Sequence, residues 1–156
     1  GVESAILSLG GNVQTLGERK PDGSRWQVAV TDPHDTGSYA GLLSMGQGTA
    51  VTSGGYQRFF EQDGVTYIHI LDPETGLPVD NDLLSVTVVT SDGARADALS
   101  TALFVMGKDR ALEFCREQED LELVLITKDD HVLVTSGLAA DFQETAPEVY
   151  TYEYPG

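Results

Sequence analysis

The sequence predicts an α+β fold: a mixed, largely antiparallel sheet carrying two or three helices. Three observations support this expectation. Short apolar runs that alternate with polar residues occupy the first part of the chain, glycine-containing turns separate them, and helical periodicity enters only after Gly93. Strands that come first and helices that are inserted late argue against a regular strand-helix alternation. With 156 residues and 40% apolar content, the chain is expected to form one domain, residues 1–156, with a sizeable core.

Residues 2–9 read as a strand ending in Gly10-Gly11-Asn12, where glycines permit positive φ or the close approach of a ligand or another strand. Lys20-Pro21-Asp22-Gly23 is a turn by composition. Residues 25–31 alternate Trp26, Val28 and Val30 against polar neighbours until Asp32-Pro33 stops the strand. Residues 42–52 form one or two short strands, interrupted by Gly46 and Gly48, that deliver the chain to Ser53-Gly54-Gly55. Residues 57–61 and 65–70 flank Asp63-Gly64, a hairpin signal that puts His69 at a strand end.

The β-branched run 84–90 is a further strand. Ser91-Asp92-Gly93 then supplies a turn and a cap for a helix over 94–106, which Gly107 ends. Residues 109–118 read as a second helix with Leu112, Phe114 and Cys115 turned inward, and 122–127 and 131–135 as strands around Lys128-Asp129-Asp130. The last residues have no clear period.

Nine Lys and Arg against 25 Asp and Glu give a net charge of -16, which repels nucleic-acid phosphates and anionic membrane surfaces. Neither partner is expected. No apolar run reaches the roughly 18 residues of a membrane span, and the first residues lack the pattern of a signal peptide. After Lys128 there is no Lys or Arg, while Asp129, Asp130, Asp141, Glu144, Glu148 and Glu153 follow, so the tail is expected to be solvated or draped over the surface. Acidity of this kind raises the local concentration of a divalent cation, or simply keeps the chain soluble. Cys115 is the single cysteine and reads as a small core residue.

Asp97 and Thr101 are four apart, so on a helix they project from one face about one turn apart, both presenting hard oxygens that suit Mg²⁺. Apolar residues surround the pair, with Leu99, Leu103 and Met106 opposite it and Phe104 and Val105 beside it. The helix is therefore expected to be buried, and a buried carboxylate needs a cation or donors. Equally, Asp97 can serve the helix dipole from the first turn while Thr101 bonds a carbonyl. Of the three histidines, His34 and His131 lie among acids in turns and read as solvated. His69 is either a strand-end core residue or a base, whose ordinary pKa near 6.5 suits proton transfer. Ser53-Gly54-Gly55 serves either as a tight link or as a ligand loop, Asp72 can cap its turn while Gly76 takes positive φ, and Arg58 can meet a phosphate or one of many acids.

Taken in order, Gly10-Gly11-Asn12, Thr52-Ser53-Gly54, His69-Ile70-Leu71-Asp72-Pro73-Glu74-Thr75-Gly76-Leu77-Pro78 and Ala96-Asp97-Ala98-Leu99-Ser100-Thr101-Ala102 resemble the signature of the ApbE family, the FAD:protein FMN transferases. The resemblance implies Mg²⁺-dependent transfer of FMN from FAD to a threonine of an acceptor flavoprotein, with release of AMP. It implies His69 as the catalytic residue and Asp97 and Thr101 as Mg²⁺ ligands. It also implies an FAD pocket to which Thr52, Ser53, Gly54, Tyr56 and Arg58 contribute from the first turn, and His69, Ile70, Asp72, Thr75 and Gly76 from the second. Gly55 departs from the family, whose members usually carry Asp or Asn there. Family members are also much longer and act outside the cytoplasmic membrane, often as lipoproteins, so the chain resembles a C-terminal portion. The same pocket would suit FAD hydrolysis to FMN and AMP, or flavin binding without catalysis.

Overall fold

The computed structural model describes residues 1–19 and 23–156; the predicted turn at Lys20, Pro21 and Asp22 lies outside them. Among the described residues the α+β expectation holds, with twelve strands and two α-helices. The strands are β1 (Ala5–Leu9), β2 (Asn12–Leu16), β3 (Trp26–Thr31), β4 (Tyr39–Met45), β5 (Gly48–Gly54), β6 (Phe59–Gln62), β7 (Val65–Ile68), β8 (Leu83–Thr90), β9 (Glu122–Thr127), β10 (His131–Val134), β11 (Phe142–Glu144) and β12 (Thr151–Glu153). The helices are α1 (Gly93–Met106) and α2 (Lys108–Arg116).

A seven-stranded sheet in the order β1-β2-β5-β8-β9-β10-β12 forms the frame, antiparallel throughout except for the parallel pair β10 and β12. A three-stranded antiparallel sheet, β11-β4-β3, and the hairpin β6-β7 complete the strands. Because side chains alternate across a strand, the central strands feed two cores. Val86, Val88, Leu123 and Leu125 pack with Leu103 and Phe104 of α1 and Leu112 of α2, whereas Val124, Ile126, Val132 and Val134 pack with Val28, Val30 and Leu43 of the smaller sheet. Helices, large sheet and small sheet therefore form three layers.

Several local signals act as the sequence suggests. Asp63 and Gly64 both take positive φ, 52° and 77°, which is the backbone a two-residue turn needs to match the twist of β6 and β7. Asp92 caps α1, its carboxylate accepting from the backbone N–H groups of Ala94 and Arg95. Gly107 ends α1 at φ 81°.

Three expectations are corrected. The strand at 2–9 is shorter, and a hairpin partner, β2, follows directly after Gly10-Gly11 because both glycines take positive φ (58° and 94°) and fold the chain back. His69 lies one residue beyond β7. The acidic tail is not draped over the surface. Its apolar residues are drawn into the second core while its acids stay outside: β11 pairs with β4, β12 pairs with β10, and Phe142 and Tyr150 are buried.

Candidate functional site

The end of β5 is fixed from three sides. Thr52 donates its backbone N–H to the Gly11 carbonyl at 3.0 Å, and its hydroxyl lies 2.8 Å from that of Thr87 on β8. A Cβ on Gly11 would stand 3.2 Å from the Thr52 carbonyl, so of the two readings of the first glycine turn it is another strand that sits against it. Gly54 has no room for a side chain, because a Cβ there would fall 2.5 Å from the Tyr56 ring and 2.9 Å from the Leu84 carbonyl.

Ser53 joins this strand end to α1. Its hydroxyl lies 2.9 Å from the Ser100 hydroxyl and 3.2 Å from that of Thr101, and Ser100 donates to the Asp97 carbonyl at 3.0 Å. The hydroxyls thus tie the Ser53-Gly54 turn to the turn of helix that bears Asp97 and Thr101. Ser100 was not a sequence candidate, although it lies inside the same motif; only the fold shows that its hydroxyl is shared with Ser53.

Asp97 and Thr101 are exposed, which corrects the expectation of a helix buried all round. The buried stripe of α1 is Ala96, Ser100, Leu103 and Phe104, and Asp97 and Thr101 lie on its exposed side, Thr101 still within reach of Ser53 at the end of β5. The two structural explanations for this pair do not apply. Asp92 already caps the helix and its first turn contains no acid, so Asp97 stands too far along to serve the N-terminus. The Thr101 hydroxyl meets serine rather than a helix carbonyl. Among the described residues, the Asp97 carboxylate has neither hydrogen bond nor ion pair. The chemistry of this donor set, a carboxylate and a hydroxyl one turn apart, fits part of a Mg²⁺ shell. No cluster of three or more His, Cys, Asp or Glu gathers around it among the described residues, so water, backbone or a phosphate would have to supply the other ligands.

His69 is exposed, and its backbone N–H and its ring Nδ1 both approach the Arg58 carbonyl, at 3.2 and 3.1 Å. A carbonyl only accepts, so in the neutral ring this bond places the proton on Nδ1 and leaves the lone pair on Nε2. Ile70, the next residue, is buried in the helix-side core and anchors the segment. The Arg58 guanidinium is exposed and, among the described residues, has no acid partner. Asp72 caps its own turn: its carboxylate accepts from the Glu74 N–H at 2.8 Å, its carbonyl accepts from the Gly76 N–H at 2.8 Å, and Gly76 sits at φ 69°. Thr75 accepts from the Leu77 N–H at 3.3 Å, so this loop is internally closed.

Between the β6-β7 hairpin and β8 opens a cavity of about 820 Å³, lined by Gly55, Tyr56, Phe59, Ile68, Pro78 and Phe104. Sequence reasoning did not find it, because its walls come from stretches scattered along the chain from Pro33 to Lys128. Gly55 shapes one wall, since a Cβ there would stand 3.0 Å from Ile68. Burial pushes the Tyr56 phenol above its ordinary pKa of 10.0, so it stays protonated at neutral pH. The structure thus joins the hydroxyls of Ser53, Ser100 and Thr101 with the Asp97 backbone carbonyl in one network, ties Thr52 separately to Gly11 and Thr87, and links His69 to the Arg58 backbone carbonyl. His69 makes no hydrogen bond to Asp97 or Thr101.

A family model described as the ApbE family matches residues 1–125. The chain belongs to the ApbE family. It is 40% identical over 136 residues to the FAD:protein FMN transferase of Klebsiella pneumoniae, covering 86% of this chain and 41% of that one. It is 39% identical over 145 residues to the FAD:protein FMN transferase of Treponema pallidum, covering 88% and 40%. The crystal structure of the ApbE protein of Thermotoga maritima superposes with a TM-score of 0.78 at 34% identity, over 88% of this chain and 44% of that one. The flavin transferase ApbE of Vibrio cholerae does so at 0.68 and 35%, over 82% and 40%. The α+β fold is that of the solved ApbE structures, and the chain spans about two-fifths of the length of these relatives.

Proposed function

We propose that this chain is the C-terminal part of a flavin transferase, its 156 residues forming one domain, and that the complete protein moves FMN from FAD to a threonine hydroxyl of an acceptor flavoprotein in a Mg²⁺-dependent reaction outside the cytoplasmic membrane. The observation that supports this best is the unpartnered Asp97 carboxylate one helical turn from Thr101, whose hydroxyl meets Ser53 in the glycine turn of an ApbE-family chain.

In this reading Asp97 and Thr101 hold Mg²⁺, and Thr52, Ser53, Gly54, Tyr56, Ile70, Asp72, Thr75 and Gly76 shape the FAD pocket. Bound Mg²⁺ would supply charge neutralisation at the diphosphate. Arg58 adds a second positive charge there. Nε2 of His69 takes the proton of the acceptor threonine as its oxygen attacks the phosphorus of the FMN half. The new O–P bond forms, the P–O bond to the AMP half breaks, and AMP leaves with that electron pair.

Titration of the chain with FAD at saturating Mg²⁺, followed by flavin fluorescence, tests the metal and pocket assignments together. Metal-dependent binding that weakens about tenfold or more in Asp97→Ala is the expected result. Equal, metal-dependent binding in the variant would remove Asp97 from the metal. A second reading, flavin binding without catalysis, is favoured by the 41% span of the relative and by Gly55. Product analysis on the complete protein separates the possibilities: labelled acceptor with AMP indicates transfer, free FMN with AMP indicates hydrolysis, and retained FAD indicates binding alone.

A further inference from the structure

Three hydroxyls and one carbonyl meet where the end of β5 lies against α1, and their protons can be assigned by counting. A serine or threonine hydroxyl has one proton to give and two lone pairs with which to accept. The Ser100 hydroxyl lies 3.0 Å from the Asp97 carbonyl, which only accepts, so Ser100 gives its proton there. In the 2.9 Å contact between Ser53 and Ser100 the donor is therefore Ser53. Its single proton is then committed, and in the 3.2 Å contact between Ser53 and Thr101 it is Thr101 that donates. The order is fixed from end to end: Thr101 to Ser53, Ser53 to Ser100, Ser100 to the Asp97 carbonyl.

This order has a chemical effect at its open end. Thr101 gives its proton toward Ser53, and among the described residues no donor reaches its oxygen, so the lone pairs of that oxygen are left for the exposed side of α1 on which Asp97 also lies. A ligand of a cation must offer lone pairs, and a hydroxyl whose proton points at the cation opposes binding. The Asp97 carbonyl is also the group, four residues back along the helix, to which a threonine hydroxyl at position 101 would ordinarily turn; Ser100 occupies it instead. Ser100 is only 1% exposed, which keeps water from competing for its proton or its lone pairs, and hydroxyls linked in a chain polarise one another.

We propose that Ser100 is a positioning residue for the metal site: by taking the Ser53 proton it sets the direction of the hydroxyl chain and keeps the Thr101 oxygen turned to the cation by its lone pairs. The proposal rests on the reading of Asp97 and Thr101 as Mg²⁺ ligands, and it adds that a buried side chain touching neither metal nor flavin decides whether Thr101 can act as one. Without the Ser100 hydroxyl, Thr101 is the acceptor left to Ser53 within this group. Ser53 then donates to Thr101, and the Thr101 proton turns outward to the place of the cation. Without Ser53 as well, nothing donates to Thr101, and its hydroxyl is free to rotate a lone pair outward again. The two substitutions therefore act against each other.

Mn²⁺ takes the same hard oxygen ligands as Mg²⁺ and broadens nearby NMR signals, so it is titrated into the isotope-labelled chain without flavin. Broadening of the Asp97 and Thr101 amides gives a dissociation constant even where binding is weak. Ser100→Ala is expected to weaken Mn²⁺ binding about fivefold or more. The double variant Ser53→Ala/Ser100→Ala is expected to bind Mn²⁺ several-fold more tightly than Ser100→Ala alone, whereas a residue that only holds the fold gives the opposite order. Ser100→Cys nearly keeps the size of the side chain, but its thiol is a weak acceptor; it is expected to weaken binding as Ser100→Ala does, and it carries the test if the alanine variant does not melt cooperatively. Unchanged binding in the folded Ser100 variant, or a double variant weaker than Ser100→Ala, overturns the proposal and leaves the metal assignment standing. If Mn²⁺ broadens neither Asp97 nor Thr101 in the unsubstituted chain, the metal assignment and the proposal fall together.

Discussion

His69 shows how one hydrogen bond decides what a side chain can do. With Nδ1 committed to the Arg58 carbonyl, the neutral ring carries its lone pair on Nε2, where the proposed reaction needs a base. In the complete protein, His69→Ala is expected to slow FMN transfer by about 10² to 10⁴-fold while leaving the fold intact, because the side chain is exposed; transfer at the normal rate would remove His69 from the reaction. Ser53→Ala is expected to cost about 1 kcal/mol in urea unfolding, since it breaks two hydroxyl contacts at once, and to weaken Mg²⁺-dependent flavin binding; unchanged binding would show that the Ser53 link does not position Thr101. The Asp97 and Thr101 pair was legible in the sequence as an i, i+4 spacing, but spacing alone left the dipole explanation standing. It took the position of the cap at Asp92 to set that explanation aside.

Elements with a strong local signal were the easiest to read. Asp63-Gly64 specifies its hairpin by backbone chirality, and Asp92 with Gly107 brackets α1, because these effects act within a few residues. Asp92→Ala is expected to destabilise the protein by about 1 kcal/mol, measured as a lower urea midpoint; no loss would mean that the Ala94 and Arg95 N–H groups find water as readily. Gly54→Ala is expected to be worse than its small size suggests, because the added carbon meets the Leu84 carbonyl, which belongs to the sheet and cannot swing away as a side chain would. The short strands β2, β11 and β12 were not legible. They have five, three and three residues, and what makes them strands is the partner across the ladder, which for β11 lies about a hundred positions earlier in the chain.

The tail and α2 place ionisable groups where alkali acts on the fold. Burial, followed by the hydrogen bond donated to Asp32, raises the pKa of Tyr150 above the ordinary 10.0. Burial, then the hydrogen bond to Glu144, takes Tyr154 up to about 12, and burial, then the charge of Glu122, takes Cys115 from 9.0 to about 11. A folded-state value raised above the unfolded one contributes stability that is complete below the unfolded value and is lost as pH rises through the folded value. The urea midpoint is therefore expected to hold from neutrality to about pH 9 and to fall from there to about pH 12. A midpoint flat to pH 11 would show that these groups titrate as they do in the unfolded chain.

The family match ends at residue 125, inside β9, yet the sandwich does not close there. The Tyr152 hydroxyl donates to the Ala40 carbonyl, Thr145 donates to the Tyr39 carbonyl, and β11 zips along β4, so the smaller sheet waits for a segment made more than a hundred residues after its own first strand. Synthesis runs from the N-terminus, so β3 and β4 leave the ribosome about a hundred residues before the segment that staples them, and until that segment follows, Val28, Val30 and Leu43 remain open to whatever meets the emerging chain first.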